Sequence, residues 1–330
     1  MFVEIRAIDK SLYELRDKAI KADDPCVEFL VRGTQSFLLP LPAIPTSKKT
    51  FARSALSYHR ILPTEVDGVA IKLYPGPELG RVVAGSRAVA GALFGDFDLR
   101  IDPPGGLGPF RVDGVDCLQQ IEQIESHIAT LMDGEQQLVV VWPELTVPPE
   151  VRESILAKLR SWPFARGLTR PTLVVPGSWH ENDGPDTVNR CRIHDGFGTF
   201  LLQYDKRKMF SLNGRQENIK SGREIPIMII GDRLISFATC LDFCEGMYDR
   251  AYPKLAVDLF VVPSYGGQAT IEAHGAAASD AYLKHGTSTF VVQQGTSDEP
   301  AEGGGYIMMR RGAQTGGDDR ARNGLSFRTF

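Results

Sequence analysis

Three side chains with complementary chemistry each stand at the end of an apolar run: Glu144 after LVVVWP, Lys206 after TFLLQYD and Cys240 after LISFAT. A carboxylate, an ammonium and a thiol brought to one point would make an acyl-transfer site. A free thiol has a pKa of about 8.5 and is mostly neutral at pH 7, so it needs activation. A carboxylate beside it takes the proton as general base and later returns it to a leaving amine. Attack on an amide carbon produces a tetrahedral oxyanion, which a fixed ammonium and a backbone N–H next to the thiol can stabilise. Taken singly, each residue also has a purely structural reading. A glutamate after a strand commonly opens a helix, lysines in a YDKRK run are commonly exposed, and a cysteine after a strand is commonly a small buried hydrophobe. Two competitors stand close by, Lys208 beside Lys206 and Cys244 beside Cys240.

The segments that would position these residues alternate helix and strand from about residue 81. CLQQIEQIESHIATLM puts Leu118, Ile121, Ile124, Ile128 and Leu131 on one helical face. LVVVW follows as an apolar strand ending at Pro143-Glu144, and PPEVRESILAKLRSW opens with prolines suited to a first helical turn. TLVVPGS is a short buried strand. RCRIHDGFGTFLLQYDK reads as two strands turning at Asp195-Gly196, and PIMIIGDRLISFATC as a second pair turning at Gly231-Asp232. VDLFVVPS is a strand, EAHGAAASDAYLKHG a helix and STFVVQQ the next strand. Buried strands separated by helices predict an α/β fold, and the hairpins make its sheet mixed.

Composition narrows the classes of function. With 330 residues, 42% hydrophobic and 24% charged, the chain can bury a full core as one large domain or two smaller ones. A formal net charge of −4 offers no basic field for nucleic acid. No apolar run has the length of a membrane span and the N-terminus lacks a signal-peptide core, so cytoplasmic residence is expected. The five cysteines are odd in number and scattered, against a disulfide framework. Cys240 and Cys244 have no second Cys/His cluster to complete a zinc site, so neither metal nor organic cofactor is expected. Residues 1–80 show little periodicity: Val27–Val31 and Phe37–Leu39 read as short strands, LPLPAIPTSKK as a loop and YPGPELG as a boundary. The expected division is an extension or accessory domain over 1–80, a main domain over 81–314 and a tail over 315–330. The glycine-rich, charged tail is expected to be disordered or to reach a partner subunit.

The chain resembles the nitrilase (carbon–nitrogen hydrolase) superfamily at three ordered blocks. VVVWPELTVP is similar to the family's apolar strand and Pro-Glu pair, QYDKRKMF to its tyrosine and catalytic lysine, and ISFATCLDFCEGMY to its strand, cysteine and acid. The family lysine lies two residues after the tyrosine, which selects Lys206 over Lys208; the Leu-Asp step after the cysteine selects Cys240 over Cys244. PGSWHENDG and Val188-Asn189 resemble the Gly-Ser strand and the asparagine before the hairpin, and LAVDLFVVPSYGG the later strand ending in Pro-Ser. The similarity covers roughly residues 105–310. It implies a four-layer α-β-β-α sandwich, commonly dimeric, with Glu144 as general base, Lys206 as oxyanion stabiliser and Cys240 as the nucleophile forming a thioester. Glu217, in GRQENIKSG, is the candidate for the family's assisting glutamate; Leu241, Asp242 and Tyr265 are candidate pocket residues. Leu241 stands where true nitrilases tend to carry tryptophan, which points to a small-molecule amide or N-carbamoyl substrate. The family's first strand is expected within RAVAGALFGDFDLRI, after a long N-terminal addition. That addition motivates an alternative: a non-catalytic or partner-controlled module of this fold, docking through residues 1–80 into a larger assembly.

Overall fold

The computed structural model describes residues 3–5, 36–39, 60–77, 88–105, 108–134, 136–162, 170–212, 214–231, 233–244, 251–295, 306–310, 313–314 and 324–329. The centre of one sheet is the strand Val139–Trp142, whose four residues are all buried. It pairs in parallel with Ala88–Ala92 on one side and Leu173–Pro176 on the other. An unbroken apolar run buried on both faces is what a central parallel strand requires. Beyond Leu173–Pro176 lies the long strand Asp186–Asp195, antiparallel to it, to Ser178–Asp183 and to Phe200–Asp205. The second sheet has eight strands, and its middle runs Ser288–Gln294, Leu259–Tyr265, Arg233–Phe237, Glu224–Ile230, Val69–Pro75. Both predicted hairpins are present as antiparallel pairs.

Among the described residues four α-helices accompany these sheets: α1 Gln120–Met132, α2 Pro149–Ser161, the one-turn α3 Leu241–Cys244 and α4 Gln268–His285. Helix α2 carries proline at its start, and α4 ends at Gly286 with φ 72, the left-handed stop that glycine adopts without strain. Side-chain alternation sorts the strands into separate cores. Val139, Val141, Leu173 and Val175 pack against Ile235, Phe237, Leu259, Val261 and Phe290, so the two sheets face one another. Val140, Trp142 and Val174 point the other way, onto Ile124, Ile128, Ile155 and Leu159 of α1 and α2. Phe260, Val262 and Val291 meet Ile271, Ala277 and Ala281 of α4 on the outer face of the second sheet. Each such apolar side chain contributes about 1.5–3 kcal/mol on burial. The result is a mixed α/β fold.

Strand pairing extends across residues 80/81 and 314/315: Val69–Pro75 pairs in parallel with Glu224–Ile230, and Leu325–Thr329 pairs antiparallel with Ala88–Ala92. Arg60 further ties the upstream segment to Asp258 through two side-chain hydrogen bonds. At α1 the buried face is Ile124, His127, Ile128, Leu131 and Met132, whereas Leu118 and Ile121 are exposed. Leu118 precedes the helix, which starts only after Gln119 at φ 53, and so shares no face with it. Phe37–Leu39 falls in the strand Ser36–Leu39, paired antiparallel with Val3–Ile5 and Arg60–Pro63. Val27–Val31 and the proline-rich loop lie outside the described residues. Among the described residues, no helix is long and apolar enough to cross a membrane.

Candidate active site

Glu144, Lys206 and Cys240 each follow the end of a strand, two from the first sheet and one from the second. Glu144 sits two residues beyond Val139–Trp142 in a sharp turn. The next residue, Leu145, has φ 57, and its N–H bonds to the Ser178 carbonyl at 2.8 Å. Gly177, at φ +65, lets the neighbouring strand approach this turn; a Cβ there would lie 2.0 Å from the Pro143 carbonyl oxygen. Lys206 leaves Phe200–Asp205 with its N–H bonded to the Asn189 carbonyl at 2.8 Å. Cys240 precedes α3 with φ 47, in the left-handed region that costs an ordinary residue about 1–2 kcal/mol. Its N–H is held by the Pro263 carbonyl at 3.0 Å.

The three side chains converge. Lys206 Nζ lies 2.7 Å from Glu144 Oε1 and 2.8 Å from Glu217 Oε2, with Lys206 only 1% exposed. Tyr265 links the two sheets across the site: its N–H faces Glu144 Oε2 at 3.3 Å, and its carbonyl accepts from Cys240 Sγ at 3.6 Å. Glu217 is the most heavily bonded group. Besides Lys206 it accepts from Phe210 N–H at 2.8 Å and Asn189 Nδ2 at 3.0 Å, and lies 2.8 Å from His180 Nε2. Asn189 Nδ2 also donates to Glu144 Oε1 at 2.9 Å, so one amide spans both carboxylates. The hairpin Phe97–Asp102/Arg111–Cys117 closes over the glutamate turns, placing Phe110 and Val112 with Leu145 and Trp179 in a small separate core.

Electrostatics follow from burial and these contacts. Burial alone would lower the Lys206 pKa, but Glu144 and Glu217 together hold it well above the usual lysine value, so the ammonium stays charged. Burial would raise Glu217, yet the Lys206 charge and the His180 hydrogen bond bring it down to about 2. The Cys240 thiol is pushed well up by burial and by the Glu144 charge, with Lys206 pulling against them. The resting thiol is therefore neutral.

The other expected residues separate by role. The Asp242 carboxylate accepts the N–H groups of Arg207 at 2.9 Å and Lys208 at 2.8 Å, fixing the turn that carries Lys206. Burial pushes its pKa up to about 7. Leu241 packs against the core beneath α4. Tyr265 is buried beside Phe97, its backbone bridging Glu144 and Cys240. Cys244 points its thiol at the Cys240 carbonyl, 3.8 Å away, inside the core. Lys208 donates its backbone N–H to Asp242 at 2.8 Å. Two residues without a place in the sequence reading of the site join it here, His180 and the side chain of Asn189. The asparagine before the hairpin carried the only available signal.

No protein-family model matches this chain, and no curated protein matches it. Among solved structures it is similar to a cysteine-to-serine mutant of an amidase of the nitrilase superfamily from Nesterenkonia AN1. That likeness has 16% identity over 76% of this chain and 93% of that one, with a TM-score of 0.50. A glutamate-to-glutamine mutant of the same amidase, with acrylamide added to its active-site cysteine, is 16% identical over 74% of this chain and 92% of the other, at a TM-score of 0.49. At such identities the likeness is one of fold: this chain shares the mixed α/β fold of that amidase.

Proposed function

We propose that the protein hydrolyses a non-peptide C–N bond, an amide or N-carbamoyl group, through a thioester on Cys240. The observation that carries this reading is the buried ion cluster, with Lys206 Nζ 2.7 Å from Glu144 and 2.8 Å from Glu217, joined to the thiol through the Tyr265 backbone, which bonds both Glu144 and Cys240. Burying ionised groups costs several kcal/mol each unless they are paired. A module that only docks onto partners has no use for such a cluster, which weighs against the non-catalytic alternative.

The reaction runs in two halves. Cys240 Sγ attacks the amide carbon while Glu144 takes the thiol proton, so no free thiolate is needed beforehand. The oxyanion is held by Lys206 Nζ and the N–H of Leu241. Its collapse breaks the C–N bond, and Glu144 passes the proton to the departing amine. Water then attacks the thioester; Glu144 takes its proton and returns it to Sγ as the acid leaves. Glu217 stays ionised throughout and keeps Lys206 charged. In the same reading the chain works as a homodimer, as the sequence resemblance implies, and in the cytoplasm, as its N-terminus and hydropathy lead one to expect.

Acrylamide, found added to the active-site cysteine in the glutamate-to-glutamine mutant of the similar amidase, supplies the test. Intact-mass and peptide mapping after exposure should place the adduct on Cys240, and Cys240→Ala should abolish both adduct and hydrolysis across an amide and carbamoyl panel. Cys244→Ala, whose thiol is buried in the core, should hydrolyse within about twofold of wild type while losing roughly 1 kcal/mol of stability. Equal turnover by wild type and Cys240→Ala would sink the enzymatic reading.

A further inference from the structure

His180 stands in a line of contacts running from the hairpin to Lys206. Val112 N–H donates to His180 Nδ1 at 2.7 Å, and His180 Nε2 lies 2.8 Å from Glu217 Oε1. A ring nitrogen that accepts a backbone N–H carries no proton, so the hydrogen sits on Nε2 and the imidazole is a neutral donor. Both side chains are sealed from solvent, at 1% and 0% exposure. We propose that His180 is a positioning residue: its Nε2–H keeps the Glu217 carboxylate ionised and aimed at Lys206, and thereby keeps Lys206 in place for the oxyanion. This rests on the hydrolase reading above.

The geometry of Glu217 explains why one more donor matters. Oε2 takes Lys206 Nζ and Phe210 N–H; Oε1 takes His180 and Asn189. Asn189 Nδ2 is shared with Glu144 Oε1, so without His180 that side of Glu217 would hold half of one amide group. A carboxylate so depleted takes up a proton more readily, since its burial already favours the neutral form. The charged groups facing the pair are Lys206 and, across Asn189, Glu144. Val112 fixes the tautomer from a strand 68 residues away in sequence, so the ring presents its Nε2–H to Glu217.

The test compares wild type, His180→Leu and His180→Gln. Three things are measured: kcat and KM against pH on a hydrolysed amide, the pH dependence of Cys240 alkylation by acrylamide, and the thermal midpoint. His180→Leu should lower kcat about 10- to 100-fold with KM nearly unchanged, as expected for losing one hydrogen bond to a charged group. It should also move the acidic limb of both pH profiles upward. His180→Gln, whose amide N–H can take the place of Nε2–H, should recover most of the rate and the limb. Wild-type kcat and acidic limb in a folded His180→Leu would overturn the proposal, and so would equal impairment of both variants with an unmoved limb. Should His180→Leu fail to fold, ring-nitrogen NMR of the wild type decides: the Nε2–H tautomer supports the role, the Nδ1–H tautomer or the doubly protonated ring refutes it. Loss of activity in Cys240→Ala, measured alongside, tells failure of this proposal from failure of the hydrolase reading.

Discussion

Replacing Glu217 by glutamine removes one charge from a buried cluster while nearly preserving its shape, and the consequence for stability can be worked out. The Lys206 charge and the His180 hydrogen bond hold the Glu217 carboxyl at about 2, against an ordinary value of 4.5, even though burial pulls it the other way. A carboxyl with a depressed folded-state pKa contributes stability that is fully present above its unfolded value. That stability is lost as the pH falls through the folded one. At about 1.4 kcal/mol per pH unit, the displacement is worth roughly 3 kcal/mol. Glu217→Gln should therefore be less stable than wild type by about 3 kcal/mol at pH 7, with the gap closing between about pH 4.5 and 2. The glutamine amide also turns its N–H2 toward His180 or Asn189, a penalty that does not depend on pH. The signature is thus the change in the gap, measured by urea unfolding at pH 7, 4.5 and 3. An identical gap at pH 7 and pH 3 would mean that Glu217 is not the ionised partner of Lys206, and the account of the oxyanion site would fall with it.

Asp242 should show the opposite dependence. Burial pushes its carboxyl up to about 7 from 3.8, so its contribution is present below about pH 4 and lost as the pH rises through 7. Asp242→Asn should remove that decline, and an unchanged difference between unfolding free energies at pH 5 and pH 8 would contradict the assignment. Gly177→Ala forces a Cβ to 2.0 Å from the Pro143 carbonyl at a left-handed φ of +65, next to the turn holding Glu144. It should cost at least about 1–2 kcal/mol from the backbone alone and lower kcat with it; full activity at an unchanged thermal midpoint would refute the close approach.

The trio was legible because each member follows an apolar strand and sits in a distinctive local run. Glu144, Lys206 and Cys240 therefore carried their own flanking signals, and α1, α2 and α4 could be read from their periodicity. Glu217 was only half legible: its run GRQENIKSG shows no strand, and what fixes it is a contact from Phe110 more than a hundred positions earlier. His180 was silent, since its two partners are a backbone N–H at 112 and a carboxylate at 217. The strand pairings near the two ends were silent for a similar reason. VAIKLYP alternates exposed and half-buried positions, with Ile71 the buried one, and so lacks the continuous apolar run of a central strand. GLSFRTF looks like a charged tail until Ala88–Ala92 supplies its partner. Periodicity reports local burial; pairing across the chain leaves almost no trace in it.

The left-handed backbone at Cys240 restricts how this position can change over evolutionary time. At φ 47 a β-branched side chain would collide with its own main chain, so neither threonine nor valine can be accommodated without undoing the turn. The bonds from Cys240 N–H to Pro263 and from Phe243 N–H to the Cys240 carbonyl hold that turn from both sides, leaving little slack to absorb a clash. Residues unbranched at Cβ keep this turn, and of the two aliphatic hydroxyl residues only serine is among them. In the hydrolase reading proposed above, serine is therefore the one aliphatic hydroxyl substitute for the thiol that leaves the turn intact.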